Sequence, residues 1–245
     1  MSDLDDEIDG NFEGFYADWS AQAQANWTAL HPEDALKRSY RRLSAFQTLK
    51  QQIVVPSSSE AAASIFHEAH NDALTSHTLA SIGAWRASLK SLRSLIEATL
   101  NSLYFRDHAI ELELWLEGKH KTGFSSLYSY FEAHPKISGL GTNVSGLAAI
   151  KAEYATLSKA VHGSNTKFWM TDSASSVLLW SDSKPKLSQW ETRERKVLEG
   201  LACLTVCIFS EKLAGTSLPQ VRSMLQYLIS DSKRTALKSS VGVSI

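Results

Sequence analysis

The chain has 245 residues, of which 43% are hydrophobic and 21% are charged, and its formal net charge is −1. This composition provides enough apolar residues for a sizeable core and excludes wholesale disorder, and the near-zero charge excludes global attraction to nucleic acid or to an anionic membrane. Any phosphate binding must therefore be local. Only 12 Gly and 5 Pro punctuate the chain, which favours long helices over many short strands.

The N-terminal segment MSDLDDEIDG is acidic and lacks the basic-then-apolar order of a signal peptide. No apolar stretch reaches the ~18 residues that a membrane span requires. The sequence therefore predicts a cytoplasmic protein that does not engage a membrane.

Residues 1–56 are predicted to form an N-terminal helical extension. Its first helix, from about Asn11 to Leu30, carries five aromatic residues, which are Phe12, Phe15, Tyr16, Trp19 and Trp27. A second helix opens at Pro32, because proline suits the first helical turn, and runs to about Val54. Its basic residues Lys37, Arg38, Arg41 and Arg42 are expected to be largely solvated.

Residues 57–245 are predicted to form the main helical domain. Ser59 before Glu60 is typical of a helix N-terminus, and only Gly83 interrupts the stretch to about Leu116, so a central helix or a kinked pair is expected. A short aromatic helix near residues 124–131 and a helix over residues 147–162, ended by Gly163, follow.

Two short apolar runs within residues 167–180 favour a small β-hairpin. Helices over residues 188–213 and 219–238 then complete the chain. The prediction is a mainly α-helical bundle of about seven helices with one hairpin. Cys203 and Cys207, four residues apart in an apolar run, are expected to be buried reduced thiols, and no metal or cofactor site is predicted.

The central helix carries a polar stripe directly beside its apolar arc. At ~100° per residue, the stripe contains Arg93, Glu97, Asn101, Tyr104 and His108. A solvated face more often lies opposite the apolar arc, so this stripe is expected to be partly buried.

The helix over residues 147–162 repeats the design, with Tyr154, Ser158 and His162 on the edge of its apolar arc. Packing of the two apolar arcs would bring the polar edges together. We expect Arg93 to pair with Glu97, and Ser158 and His162 to face Glu97 or Tyr104, since an unpaired buried charge is costly. Two interpretations are open: a structural hydrogen-bond network or a functional site.

At these residues the chain resembles the HEPN superfamily of helical proteins, found in toxin-antitoxin and antiphage defence systems. The resemblance covers roughly residues 60–215 and rests on RSLIE at residues 93–97 with Asn101 and Tyr104, and on YATLSKAVHG at residues 154–163. Active members are metal-independent RNases whose motif is an arginine, about four to six residues, and then a histidine near a helix end. His162 occupies the histidine position.

The arginine of that motif is missing, because residues 155–157 are Ala, Thr and Leu. The resemblance therefore implies first a non-catalytic binding or regulatory subunit of a defence or toxin-antitoxin system. The alternative is an RNase that uses His162 with a displaced arginine, Arg93, in which Glu97 completes the site. A scaffold without a ligand is the third reading.

The partner expectations follow from the same features. The aromatic first helix must dock on its own core or on another surface, so a protein partner or self-association is expected, as is common for HEPN-like domains. RNA or a nucleotide is the expected ligand class.

Overall fold

Ten α-helices form the part of the chain that the structure describes, which comprises residues 3–170, 180–214 and 218–245 of a computed structural model. The helices are α1 (Asp3–Leu30), α2 (Asp34–Leu49), α3 (Glu60–Ser81), α4 (Trp85–Phe105), α5 (Ala109–Leu116), α6 (Phe124–Ala133), α7 (Leu147–His162), α8 (Lys184–Ile208), α9 (Pro219–Leu225) and α10 (Asp231–Val241). The mainly α-helical class is confirmed.

The predicted number of about seven helices is wrong, because two of the predicted helices are interrupted. The stretch over residues 60–116 is divided into α3, α4 and α5. At the first break Gly83 has a φ of +79°, and a Cβ atom there would lie 2.2 Å from the Ser181 carbonyl oxygen, so the position requires glycine. The final helix is likewise divided into α9 and α10 at residues 226–230.

The predicted hairpin near residues 167–180 is not seen in the described residues, which contain no β-strand. Where it was expected to begin, Thr166–Phe168 forms a 3-10 turn. The Asn165 side chain accepts a hydrogen bond of 3.0 Å from the Lys167 amide, and this local bond favours a turn over a strand. Residues 171–179 of the predicted hairpin lie outside the described residues.

Helix α4 is the centre of the core and packs against α3, α7 and α8. Its residues Leu92, Leu95 and Ile96 are fully buried. Helices α3 and α4 form an antiparallel pair, because Ser102 Oγ donates to the Ala62 carbonyl at one end and Ser76 Oγ to the Ser88 carbonyl at the other. Small side chains on this face of α4 let the two helices approach closely.

Buried charges join α2 to α8. Arg42, which was expected in solvent, is 5% exposed and donates from Nε to Glu194 Oε2 at 2.7 Å. Arg38 binds both Glu191 oxygens at 2.7 Å. Arg42 is buried because α8 places two carboxylates against this face of α2, which the sequence of α2 alone does not reveal.

Helix α1 contacts the other helices only near its C-terminal end. Its residues 3–20 are all exposed, whereas Asn26 and Leu30 are buried. Asn26 Nδ2 donates to the Ile82 carbonyl at 3.0 Å, and Gln22 Nε2 donates to the Trp180 carbonyl at 3.0 Å. None of the described helices is long and apolar enough to cross a membrane.

The expected burial of the two cysteines is confirmed. Cys203 and Cys207 are free and buried in α8, and burial raises the pKa of each thiol to about 12. Both therefore remain protonated thiols near neutral pH, which makes them poor nucleophiles and poor metal ligands.

Acid sensitivity should arise at His70, a buried residue of α3 that lies 3.4 Å from the Lys50 ammonium. Burial, followed by the charges of Lys50 and His67, lowers the pKa of His70 from 6.5 to about 4. The unfolded chain then binds more protons than the folded protein between these values, so stability falls as the pH drops from 6.5 toward 4. We expect this residue to remove roughly 2 kcal/mol of unfolding free energy between pH 7 and pH 4.5.

Urea unfolding of the wild type, His70→Gln and His67→Gln across this pH range measures the effect. The His67→Gln control, at an exposed position of the same helix, should keep most of the wild-type slope, because the charge of His67 is the smallest of the three causes that lower the pKa of His70. The His70→Gln slope should be shallower. Equal slopes in wild type and His70→Gln would contradict the assignment.

Candidate functional site

The polar edges of α4 and α7 meet along an antiparallel seam. Near one end, Arg86 donates from Nε to the Ala160 carbonyl at 3.0 Å and from Nη2 to the Val161 carbonyl at 3.2 Å. Further along α4, Arg93 reaches Tyr154 on α7. The higher residue numbers of α4 thus pair with the lower ones of α7, and this register fixes which predicted site residues can meet.

Three of the predicted residues form one closed cluster. Arg93 Nη2 donates to Glu97 Oε1 at 3.1 Å and to the Tyr154 hydroxyl at 2.8 Å, and that hydroxyl donates to the same Glu97 oxygen at 2.7 Å. The predicted pairing of Arg93 with Glu97 is confirmed. The Tyr154 ring stacks on Phe124 of α6, with centroids 3.7 Å apart and planes within 4°.

The two charges of this cluster are paired with each other, although the buried Arg93 Nε has no hydrogen-bond partner among the described residues. Burial, with the Glu97 carboxylate, raises the pKa of Tyr154, while the bond from Arg93 lowers it in part. The phenol proton and the guanidinium charge are both directed at Glu97, so neither is available to a ligand without breaking the cluster. Its evident role is to hold α4, α6 and α7 in register.

Ser158 and His162 lie further along α7 than this cluster. Ser158 Oγ donates to the Tyr154 carbonyl within its own helix at 2.8 Å. His162 is the last residue of α7 and is exposed. It lies about 12 Å along the helix axis from Tyr154, at the end held by Arg86. The prediction that His162 faces Glu97 or Tyr104 is therefore wrong, because the antiparallel register groups Glu97 with Tyr154 and leaves His162 beside Arg86, while Ser158 bonds within its own helix.

Asn101 and Tyr104 lie toward the other end of α4, and His108 lies just beyond it, before α5. Thr122 donates to the Asn101 side-chain oxygen. Tyr104 stacks on His108 with centroids 3.9 Å apart, and Tyr130 meets both rings edge-on. The aromatic contacts pack α6 against the end of α4. The single stripe read from the sequence therefore divides: Glu97 bonds to Tyr154, Asn101 binds Thr122, and the Tyr104–His108 stack lies at the end of α4.

A cavity of about 660 Å³, which the sequence did not predict, lies at the end of the seam near His162. Its walls are the start of α4, the turn after α7 and the start of α8. The lining contains four cationic residues, Arg86, Lys167, Lys186 and Arg193, and four aromatic residues, Trp85, Phe168, Trp169 and Trp190, and the described residues contribute no acidic one. We call this the cationic cavity.

The cationic cavity has a rigid floor and an exposed rim. Trp85 and Trp190 are buried, and their indole nitrogens donate to Ser181 and Ser76, respectively. Trp169 is 52% exposed and is held by a bond of 3.0 Å from its indole nitrogen to the Gly163 carbonyl. Only the turn after α7 brings it beside the cations of α4 and α8, so no short sequence motif could have indicated this site.

The cations of the cavity differ in how they are paired. Arg86 is bound by backbone carbonyls, and Arg193 donates to the buried Glu153 carboxylate at 3.0 Å. Lys167 and Lys186 are exposed, and neither has a carboxylate partner in the part of the chain that the structure describes. The two lysines therefore supply the accessible positive charge.

A buried Ser39–His77 contact is not a catalytic site. Ser39 Oγ lies 2.9 Å from His77 Nδ1 and donates to Glu194 Oε1 at 3.1 Å. Because the only hydroxyl proton is directed at Glu194, His77 cannot accept it as a general base would. Ser39 is also completely buried, so this network is structural.

Metal ligation has no support among the described residues, where no group of three or more suitable side chains comes together. His67 and His70 in particular face apart, the first exposed and the second buried. No known protein family, curated protein or solved structure was found to match this chain.

The structural role of the Tyr154 cluster is tested by Tyr154→Phe. This change removes both hydroxyl bonds and preserves the ring that stacks on Phe124, so we expect a loss of roughly 1–2 kcal/mol in unfolding free energy. Denaturant unfolding measures it. Tyr40→Phe is the matched control, because Tyr40 is 62% exposed and its change should be near neutral. A neutral Tyr154→Phe would contradict the role assigned to the cluster.

Proposed function

We propose that this protein is a HEPN-like binding or regulatory subunit of a prokaryotic antiphage defence or toxin-antitoxin system, and that it binds nucleotide units in the cationic cavity. The observation that carries the proposal is the combination of cations and exposed aromatic surface in one concave site. Cationic side chains bind phosphate groups, and bases stack on exposed aromatic rings. The nucleotide unit would belong either to single-stranded RNA or to a free nucleotide.

The size of the cavity agrees with such a ligand. Small-molecule sites usually enclose about 300–1,000 Å³, and the volume of about 660 Å³ lies within that range. Trp169 offers its exposed ring as a stacking surface, while Lys167 and Lys186 can reach phosphate oxygens at the rim. The rigid indoles of the floor would limit how deeply a base enters.

The start of α8 strengthens the attraction for an anion. Ser183, the N-cap of this 25-residue helix, and Lys186 in its first turn line the cavity. The partial positive charge of a helix N-terminus favours phosphate nearby. Helix and lysine charges therefore act in the same direction at this wall.

The HEPN-like part of the proposal draws support from the α4–α7 pair. The residues that carry the resemblance do lie on facing edges, where Arg93, Glu97 and Tyr154 contact one another. Because Arg93 and Tyr154 both donate to Glu97, the proposal assigns this cluster no catalytic role and places ligand binding in the cationic cavity. Binding of RNA would place the protein in the cytoplasm. Genes for a nuclease, nucleotidyltransferase or ATPase adjacent to its own gene would be the observation expected for a defence system.

Binding to the cavity is tested with a fluorescent single-stranded RNA and with a mononucleotide. Replacement of Lys167 and Lys186 by Ala should weaken RNA binding and reduce the slope of log K against log salt by about 1.4, since each contact to single-stranded nucleic acid contributes about 0.7. Trp169→Ala should weaken binding by about 1–3 kcal/mol through the loss of one stacking surface. Fluorescence anisotropy and calorimetry measure both effects.

Lys119→Ala with Lys121→Ala is the matched control, because these exposed lysines lie outside the cavity. Equal weakening in this control would indicate non-specific attraction and defeat the proposed site. Binding of RNA but not the mononucleotide would identify RNA as the source of the nucleotide unit. No binding of either ligand would reject the proposed ligand class.

A second candidate function is RNA cleavage, and one observation favours it. The Arg86 guanidinium lies at the carbonyls of Ala160 and Val161, directly before His162. Arg93, the displaced arginine suggested by the sequence, lies about 10 Å further along α4 and is paired with Glu97. An RNase of this chain would therefore use His162 for proton transfer and Arg86 for the phosphate charge.

We expect no robust RNase activity from the isolated protein. The Arg86 guanidinium already donates two hydrogen bonds to the carbonyls at the C-terminal end of α7, so it is not free to stabilise the charge of a phosphate. Loss of one such charge-stabilising group typically costs ~10²–10³ in rate. Incubation with single-stranded RNA and tRNA in EDTA, analysed on denaturing gels, measures cleavage. Cleavage that disappears in both His162→Ala and Arg86→Lys, but persists in Arg93→Lys, would make the RNase function primary.

A further inference from the structure

Helix α1 carries an exposed apolar face. Ile8, Phe12, Phe15 and Trp19 are spaced four, three and four residues apart, so they lie on one side of the helix. Their exposed fractions range from 39% to 56%. A contiguous apolar face of this kind on a protein surface marks an interaction site.

The first 30 residues also contain seven acidic and no basic side chains. The other 19 of the 26 acidic residues are distributed over residues 31–245, which hold all 25 basic residues, so that part has a net charge of +6. The overall charge of −1 therefore conceals a strongly acidic helix attached to a basic body. Repulsion disfavours an RNA strand or an anionic membrane as the partner of α1.

The N-terminal part of α1 cannot fold back on its own molecule while the helix is continuous. The helix is held at Gln22 and Asn26, and its first 16 residues extend about 24 Å beyond Trp19. Two interior glycines, Gly10 and Gly14, reduce helix stability by about 1 kcal/mol each relative to alanine. Trp19 meets the Trp180 ring of its own molecule, with centroids 5.6 Å apart, so a surface on another molecule is needed to cover the rest of the apolar face.

We propose that α1 docks into the cationic cavity of a second copy of this chain, and that the two copies exchange their α1 helices reciprocally. Carboxylates and aromatic rings on α1 present the same two chemistries as the phosphates and bases of a nucleotide strand. The cationic cavity offers the complement of both, with Lys167 and Lys186 for the carboxylates and Trp169 for the rings. Reciprocal exchange forms a closed dimer with two identical contacts.

This dimer has a consequence for ligand binding. The consequence rests on the proposed function, because α1 and a nucleotide would compete for the same two lysines of the cationic cavity. Helix α1 of one copy then competes with RNA for the cavity of the other copy. Dimer formation and nucleotide binding should therefore be mutually exclusive, and each should be weakened by salt.

The decisive experiment uses two full-length charge-reversal variants and sedimentation equilibrium at low salt. The helix variant carries Asp9→Lys and Glu13→Lys, and the cavity variant carries Lys167→Glu and Lys186→Glu. Each variant alone places like charges in both contacts, so its dimer Kd should rise at least about tenfold. An equimolar mixture restores opposite charges in both contacts, and its heterodimer Kd should return to within roughly threefold of the wild-type value.

The substituted side chains are all exposed, so the variants should fold, as circular dichroism will check. Glu113→Lys with Glu117→Lys, on exposed positions of α5 and the turn after it, is the matched control and should dimerise like the wild type. A wild type that is monomeric at micromolar concentration overturns the inference. So does a mixture that fails to associate, or a dimer that strengthens with salt, as pairing of two α1 helices through their apolar faces would.

Failure of this inference remains distinguishable from failure of the proposed function. Asp9→Asn with Glu13→Gln removes two of the seven negative charges of α1 without adding positive charge, so RNA binding to this neutralised variant reports on the cavity with weakened competition from α1. A monomeric wild type whose cavity still binds RNA would reject the exchanged dimer only. A dimer restored by mixing, together with no RNA binding by the neutralised variant, would reject the nucleotide ligand only.

Discussion

Helix α4 has to bury side chains against α3, α7 and α8 at once, and this constraint determines most of the structure. Its polar residues are confined to narrow edges between these contacts. One edge of α4 meets α7, where Arg93 and Glu97 bond to Tyr154. At the N-terminal end of α4, Arg86 donates to a carbonyl near the C-terminal end of α7. The cationic cavity exists because that same end also meets the start of α8.

The two ends of the α4–α7 seam differ in chemistry. At the Tyr154 cluster every charge has a partner, and the stacking of Phe124 covers one face of the tyrosine ring. At the cavity, by contrast, Lys167 and Lys186 extend into solvent beside an exposed tryptophan. A satisfied network stabilises a fold, whereas exposed charge and aromatic surface in a concavity remain available to a ligand.

The uneven distribution of charge connects the proposed ligand with the proposed dimer. In the proposed dimer an acidic α1 would be attracted to the basic body of another copy, and RNA would be attracted to that same surface. Both proposed interactions would be screened by salt, and both would be centred on the lysines at the rim of the cavity. The concentration of RNA relative to protein would then decide between dimer and complex. A regulatory subunit with this property would respond to RNA without catalysing a reaction.

The sequence alone determined the helical class, the N-terminus of α3 at Ser59, the end of α7 at Gly163, the burial of the cysteines and the Arg93–Glu97 pair. These features depend on local spacing, since helix caps, apolar periodicity and contacts four residues apart lie within one helix. The same periodicity could not locate the breaks after Phe105 and Leu225, where no proline or glycine interrupts the chain.

Tertiary structure decided the remainder. Arg42 is buried because Glu194 approaches from a helix 152 residues away in the sequence. Arg86, rather than Glu97, lies beside His162, because the antiparallel register of α4 and α7 pairs the start of α4 with the end of α7. The cationic cavity draws on three segments that no sequence window contains together. A single helix specifies which side chains share a face, but the partner of that face depends on how distant helices pack, and packing is a property of the whole core.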